Sequence, residues 1–462
     1  MNAIDRLGAS YRDPSGFVFR RDGELLRQIN HSYRSDYGTL AESGLYRSIV
    51  EAGQLIEHEE IDAPLADPQT GWKIIRPRTL GFISYPYEWC FSQLKDAALT
   101  TLAIQKQALH HGMSLKDASA YNIQFDQGRP VLIDTLSFER YEDGQPWAAY
   151  RQACQHFLAP LTLMALRDVR LNQLLLTNID GIPLDLASAL LPRSSRLRFS
   201  LLMHIHLHAK MQRKHSVESQ KPATSRKLGR TRLLGIIDSL ESAIRKLDWQ
   251  PRGTEWSDYY QDTNYSDAAM DRKRQIVSHF IDATAPASVW DLGANTGEFS
   301  RLASDRGIPT IAFDIDPAAV EKNYRRVKER GEKHLLPLLI DLTNPSPAIG
   351  WNNAERMSLP ERGPADLVLA LALVHHLAIS GNVPLGHIAR FLHRLARRLA
   401  IEFVPKNDSQ VGRLLVVRKD IFPDYTQEAF EAEFGRYFVI RRQENVAGSS
   451  RIMYLMDRRE GQ

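Results

Sequence analysis

The chain has 462 residues, 43% of them apolar and 25% charged, with a formal net charge of +4 at pH 7. That composition is globular, with room for about two to four domains, and so small a charge does not by itself mark a nucleic-acid binder. Cys90 and Cys154 are the only cysteines, so neither zinc-ligand spacing nor a disulfide framework is expected. The N-terminus MNAIDRLGAS lacks the apolar core of a signal peptide, and no run of about 18 uncharged apolar residues predicts a membrane span. The expectation is a cytoplasmic protein with no membrane partner.

Residues 1–195 predict an N-terminal α+β domain that recognises the acceptor. GFVFRRDGELLRQIN (16–30) reads as a hairpin turning at Asp22-Gly23, and LAESGLYRSIVEAG (40–53) as one helix. LIEHEEI and GWKIIRPR are strands, and LKDAALTTLAIQKQALHHG (94–112) is a long amphipathic helix stopped by Gly112. NIQF and PVLIDTLSF follow as strands around the turn Asp126-Gln127-Gly128, and QHFLAPLTLMALRD and LDLASALLP are apolar helices. Asp117 and Asn122 have D-x4-N spacing, and Asp134 follows a short hairpin. With the hinge-like stretch Ser84 to Trp89 before the long helix, this zone resembles the kinase and aminoglycoside-phosphotransferase fold over residues 16–195. It departs from that family in having no glycine-rich loop near residues 16–30 and no V-A-I-K strand. Arg27 or Lys73 would have to supply the phosphate cation. The alternative is that Asp117 and Asn122 only cap a turn.

Residues 196–254 read as a helical and basic linker region. Lys210 to Arg232 holds eight Lys or Arg and one acid, Glu218, and 233–247 has apolar residues near 3.6 spacing. His204 and His208 share a helix face, yet no acid accompanies them, so packing is favoured and no metal site is expected.

Residues 255–462 alternate strand and helix patterns. SVWDLGA, PTIAFDID, LLPLLIDL, ADLVLALAL and LAIEFV are apolar runs spaced for βα units, and YFVIRRQENV and RIMYLMDR close the chain as a hairpin. The expected fold class is α/β: a Rossmann-like doubly wound sheet with an antiparallel closing hairpin, preceded by the α+β domain. In VWDLGANTGEFS, Gly293 and Gly297 let a turn curl closely under a bulky ligand. Asp291, Gly293, Asn295 and Gly297 resemble the first motif of class I S-adenosylmethionine-dependent methyltransferases, with asparagine in place of the middle glycine. The resemblance implies S-adenosylmethionine as cofactor, with Asp314 of IAFDIDP (Asp316 as the alternative) accepting from the ribose hydroxyls. It also implies Asp341 and Leu342 of LLIDLTNP at the adenine, and Ala372 at the end of the fourth strand.

Methyl transfer needs nucleophile, methyl and sulfur in line, and some acceptors need a base. His375 and His376 are the base candidates, and Glu402 of IEFVPKND is a third. Strand-end hydrogen bonding for the histidines and a surface or strand-end carboxylate for Glu402 are the plainer readings. Tyr259, Tyr260 and Tyr265 are lid candidates before the first helix of the domain. The absence of cysteine in this zone excludes pyrimidine C5 methylation through a cysteine adduct. Ala372-Leu373-Val374-His375 stands where amino methylation of adenine would use N-P-P-Y.

LKDASAYN upstream, then VHHL and EFVPKND, make the whole chain resemble a group of bacterial two-part methyltransferases, some of which carry a nodulation-protein label. The expected function is methyl transfer from S-adenosylmethionine to oxygen or nitrogen of an acceptor that the sequence does not name: sugar, small molecule, protein or RNA. The alternative is a bifunctional or scaffold protein in which a kinase-like nucleotide-binding domain is fused to a methyltransferase fold.

Overall fold

A computed structural model describes residues 5–210, 229–251, 267–416 and 420–460. The chain divides into two units, residues 1–250 with 348–356, and residues 251–347 with 357–462.

In the first unit, the alternating apolar residues of the opening segments make an antiparallel sheet. Its strands are β1 (Asp5–Arg6), β2 (Gly16–Arg21), β3 (Glu24–Asn30), β4 (His58–Ile61) and β5 (Gly71–Pro77), in the order β1-β2-β3-β5-β4. The expected hairpin turns at Asp22 and Gly23, both with positive φ. One expectation fails here. Residues 40–53 are not one helix but the end of Arg34–Glu42 followed by Leu45–Glu51. Gly44, at φ +80°, takes a conformation that no α-helix continues through.

The helix Phe91–His110 runs beside Arg230–Lys246, where Lys106 pairs with Asp238 and Glu241. Leu233, Ile237, Leu240 and Ile244 are buried, so the second half of the 196–254 segment is part of this unit's core. Two small antiparallel pairs follow the long helix: β6 (Met113–Leu115) with β9 (Phe138–Arg140), and β7 (Ile123–Asp126) with β8 (Arg129–Leu132). Residues 348–356 complete the unit. Buried Glu355 accepts from Arg12 Nη2 at 2.7 Å and from the Tyr11 hydroxyl at 3.2 Å. The Arg356 guanidinium lies 4.5 Å from the Tyr121 ring centre.

The second unit is built on β10 (Val289–Leu292), β11 (Thr310–Asp314), β12 (Leu335–Leu339), β13 (Ala365–Ala370), β14 (Ala396–Phe403), β15 (Phe438–Asn445) and β16 (Ile452–Arg458). The sheet order is β12-β11-β10-β13-β14-β16-β15. Strands β10 to β14 are parallel, and β16 is antiparallel to both β14 and β15. This is the doubly wound sheet with an antiparallel closing hairpin expected from the sequence. The helix Asp267–Thr284 packs Ile276, Val277, Phe280 and Ile281 against Val289, Leu367, Leu369 and Ala400 on one face. Phe430 of the helix Gln427–Gly435 covers the other face at Phe403 and Tyr454. After β10 the chain winds outward to β12, then returns to β13 on the opposite side of β10. Ligands in open α/β sheets bind outside the carboxyl ends at such a reversal.

Candidate functional site

Two loops flank the reversal, one after β10 and one after β13. The first carries three left-handed residues, Gly293, Asn295 and Gly297, with φ of +77°, +50° and +78°. Asparagine tolerates this region better than most side chains, which explains its place in the motif. At Gly297 a Cβ would lie 2.6 Å from Asn323 Nδ2 and 2.7 Å from Arg301 Nη1. At Gly293 the nearest atom to a Cβ would be Leu373 Cδ1 of the second loop, at 3.4 Å. Gly297 is therefore demanded by packing, whereas Gly293 faces room. Arg301 braces the loop from inside, donating to the carbonyls of Thr296 and Gly297 while paired with Glu332.

Asp291 is buried and accepts from the Ser300 hydroxyl at 2.6 Å. Asp314 ends β11, where one carboxylate oxygen accepts from the Asn295 N–H at 2.7 Å and the other from the Asp316 N–H at 2.9 Å. Burial pushes both carboxyls up to about 6, and the Asp291 and Asp314 charges repel each other. Asp316, the alternative at this position, caps the next helix by accepting from the Ala318 N–H at 2.8 Å. Its other oxygen, Oδ2, is buried without a hydrogen-bond partner. Asp341 and Leu342 follow β12 and are half-buried, with Asp341 Oδ1 accepting from the Thr343 N–H and hydroxyl. Ala372 stands in the turn after β13 at φ +50°. Asp291, Gly293, Asn295, Gly297, Asp314, Asp341, Leu342 and Ala372 thus lie at or just beyond the carboxyl ends of β10 to β13. Tyr259, Tyr260 and Tyr265 lie outside the described residues.

The histidines are not at the strand end. The strand stops at Ala370, and His375 and His376 stand in the first turn of the helix that follows, with ring centres 4.1 Å apart. His375 is buried with both ring nitrogens unpartnered, and desolvation pushes its pKa well below the usual imidazole range. His376, half-buried, is lowered to about 4 by desolvation and by Arg451. Both are neutral at pH 7.

Of the two plainer readings, Glu402 is the strand-end carboxylate and not the surface one. It is fully buried on β14, 2.6 Å from Lys273 Nζ and 3.5 Å from Arg451 Nη1. Arg451 is also paired with Asp408 at 2.7 Å, and Lys273 Nζ lies 4.8 Å from the Phe299 ring centre. The sequence reading missed Lys273, Arg451, Asp408, Ser300 and Arg301. Lys273 left a signal: a cation in the apolar stripe Ala269, Ile276, Val277, Phe280 of one helix.

In the first unit, Asp117 is hydrogen-bonded to Asn122 and Gln152, and burial and the Asp134 charge raise its pKa. Arg27 pairs with Asp134 at 2.7 Å and with Asp13 at 2.9 Å. Lys73 instead pairs with Glu60 at 2.6 Å. His204 is held between the Tyr150 hydroxyl at 2.6 Å and Ser239 Oγ at 3.0 Å, a packing role. Most of the basic segment, residues 211–228, lies outside the described residues.

No family model matches the chain. It is 35% identical to nodulation protein NoeA of Rhizobium meliloti (strain 1021), across 98% of this chain and 96% of that protein. Among solved structures, it is similar to the N-methyltransferase NodS from Bradyrhizobium japonicum WM9, with 12% identity over 42% of this chain and 99% of that one, at a TM-score of 0.32. Magnesium protoporphyrin IX methyltransferase from Synechocystis PCC 6803 matches with 17% identity over 43% of this chain and 91% of that one, at a TM-score of 0.32. WbdD matches with 13% identity over 47% of this chain and 46% of that one, at a TM-score of 0.31, so the chain spans under half of WbdD's length.

Proposed function

The chain belongs to the family of nodulation protein NoeA, and we propose that it is an S-adenosylmethionine-dependent methyltransferase acting on oxygen or nitrogen of a small or polymeric acceptor. The observation that carries this reading is the cradle at the sheet reversal. The left-handed Gly293–Gly297 loop lies beside two buried carboxylates, Asp291 and Asp314, whose ionisation burial suppresses.

The residues present fit the cofactor. Gly293 leaves space where a side chain would stand, and Asp316 Oδ2 is a buried acceptor still in want of a donor. Asp314 would accept from the ribose hydroxyls, Asp341 and Leu342 would meet the adenine, and Asp291 would offer negative charge to the methionine end. When bound, S-adenosylmethionine supplies a methyl group on a sulfonium. The chain's own work would be orientation: the loops after β10 and β13 would fix the donor side, and half-buried His376, just beyond the second loop, would serve the acceptor side. Neutral His376 can take the acceptor's proton at a ring nitrogen. His375 packs against it, and Glu402, enclosed by Lys273 and Arg451, holds the core beneath rather than the acceptor.

Calorimetry with S-adenosylhomocysteine tests the reading: saturable binding is expected, lost in Asp314→Ala at an unchanged far-UV spectrum. Absence of binding in the parent chain would overturn it. Labelled methyl transfer into fractionated cell extract then identifies the acceptor.

A second reading concerns the first unit alone. The pairs β6–β9 and β7–β8 present Asp117, Asn122 and Asp134, with Arg27 on Asp134, in the chain order of a kinase-like site. These support a nucleotide-binding module fused to the methyltransferase. Magnesium-ATP binding that disappears in Asp134→Ala is the expected result, and no binding by the parent rejects it.

A further inference from the structure

A cleft of about 730 Å³ opens in the first unit, within the size range of small-molecule sites. It is lined by Lys116, by Arg151, Gln152 and Gln155 of the helical stretch Tyr150–Ala153 and Cys154–Leu158, and by Asn178 and Asp180 of the loop after the short helix Leu174–Thr177.

The walls are built rather than incidental. The helix turns π-helical at Cys154–Leu158, a rare geometry that recurs at functional sites. Gly181, at φ +89°, lets the loop lie flush on that turn, since a Cβ there would come within 2.7 Å of Gln155 Cβ. The Ile182 N–H then donates to the Gln155 carbonyl at 3.0 Å. Gln152 is fixed from behind, accepting from the Ala118 N–H at 2.6 Å and hydrogen-bonded to Asp117.

The lining chemistry is specific. Among the described residues, neither Lys116 nor Arg151 is paired with a carboxylate. The Lys116 ammonium donates to Ser15 Oγ at 2.6 Å and rests over the Tyr33 ring. The one lining acid, Asp180, already faces Arg12 at 3.6 Å. Two cations with no carboxylate in ion-pair contact among the described residues, Glu139 acting on Lys116 only at longer range, favour an oxyanion, and a guanidinium can grip one through two N–H groups. The Gln155 amide, a donor and an acceptor, and the Asn178 side-chain carbonyl suit hydroxyls that both give and take hydrogen bonds, while the Gln152 amide is held by Ala118 and Asp117 and the Asn178 amide nitrogen donates to the Leu174 carbonyl at 2.8 Å. The lining has no aromatic side chain on which a nucleobase would stack.

We propose that this cleft binds a polyhydroxylated ligand carrying one oxyanionic group, of the class of sugar phosphates and sugar acids. The site depends on neither the cofactor cradle nor Asp134, so its test is separate from those above. Full-length protein is titrated calorimetrically with glucose 1-phosphate, glucuronate and glucose. At least one of the two anions is expected to saturate, and which one does so identifies the oxyanion. Glucose is expected to bind more weakly than that anion. Arg151→Ala and Gln155→Ala are each expected to weaken binding about tenfold. Both side chains lack protein partners among the described residues, so the melting temperature should not move. Failure of both anions to bind overturns the proposal. So does parental affinity in the Arg151→Ala/Gln155→Ala double variant, and so does glucose binding as tightly as the anions.

Discussion

Replacing Glu402 by alanine separates a supporting role from a chemical one. The side chain is wholly buried, and it is the carboxylate that Lys273, 4% exposed, faces at 2.6 Å. Removing one partner of a buried pair leaves the other as an uncompensated charge, at about 3–5 kcal/mol. Arg451 keeps Asp408 at 2.7 Å, so most of the penalty falls on Lys273. For a unit of this size each kcal/mol moves the melting temperature by about 2–4 °C, so Glu402→Ala should melt about 6–20 °C lower. The defect should shrink in alkali. Burial already lowers the Lys273 pKa, and Glu402 raises it more than Asp291 does. Without Glu402 the folded lysine binds its proton less well than the unfolded one, so stability rises with pH as the folded lysine deprotonates. Lys273→Met in the Glu402→Leu background should recover much of the loss, because an apolar pair of similar volume carries no desolvated charge. Calorimetric melts of the three variants measure all of this. Parental melting of Glu402→Ala, with methyl transfer abolished, would refute the reasoning and return Glu402 to the chemistry.

The two glycines of the cradle should part company. Gly297→Ala adds crowding of about 1–3 kcal/mol to left-handed strain of about 1–2 kcal/mol, and its melting temperature should fall clearly. Gly293→Ala bears only the strain, yet should lose affinity for S-adenosylhomocysteine in calorimetry. Asp291 and Asp314 both sit near 6, above the ordinary carboxylate range. Their contribution to apo stability is therefore present at pH 4 and lost as pH rises through about 6, while affinity for a cationic cofactor should grow over the same window. Melts and titrations at pH 5 and pH 7 read both signs, and Asp314→Asn should flatten the affinity change. His376→Ala should lower turnover with cofactor binding intact, whereas an equal loss in His375→Ala alone would reverse the roles given to the pair.

The parallel sheet was legible because each strand lies in a short apolar run, those of β10, β11 and β12 closed by Gly293, Asp314 and Asp341, and these periods survive without tertiary information. The loop after β10 was legible because positive φ restricts residue choice so sharply that Gly293, Asn295 and Gly297 betray it. The break at Gly44 was hidden because a single glycine inside a helical pattern is tolerated as often as it terminates one. The environment of Glu402 was hidden for a different reason. Its partners Lys273 and Arg451 lie far off in sequence, and only the pairing of β14 with β16 and the packing of the first helix bring them to it. The cleft beside Lys116 was invisible because amides and arginines on a helix read as solvated surface until a loop closes over them.

Residues 348–356 are strung between two strands of the second unit yet complete the first. A ribosome that has delivered the first 250 residues has not delivered the carboxylate that Arg12 and Tyr11 require, for Glu355 is more than 340 residues downstream. The N-terminal unit must wait through about half of the synthesis of its neighbour before it can close. No single cut in the gene releases both halves whole, so the two would be inherited, and exchanged between genomes, as one piece.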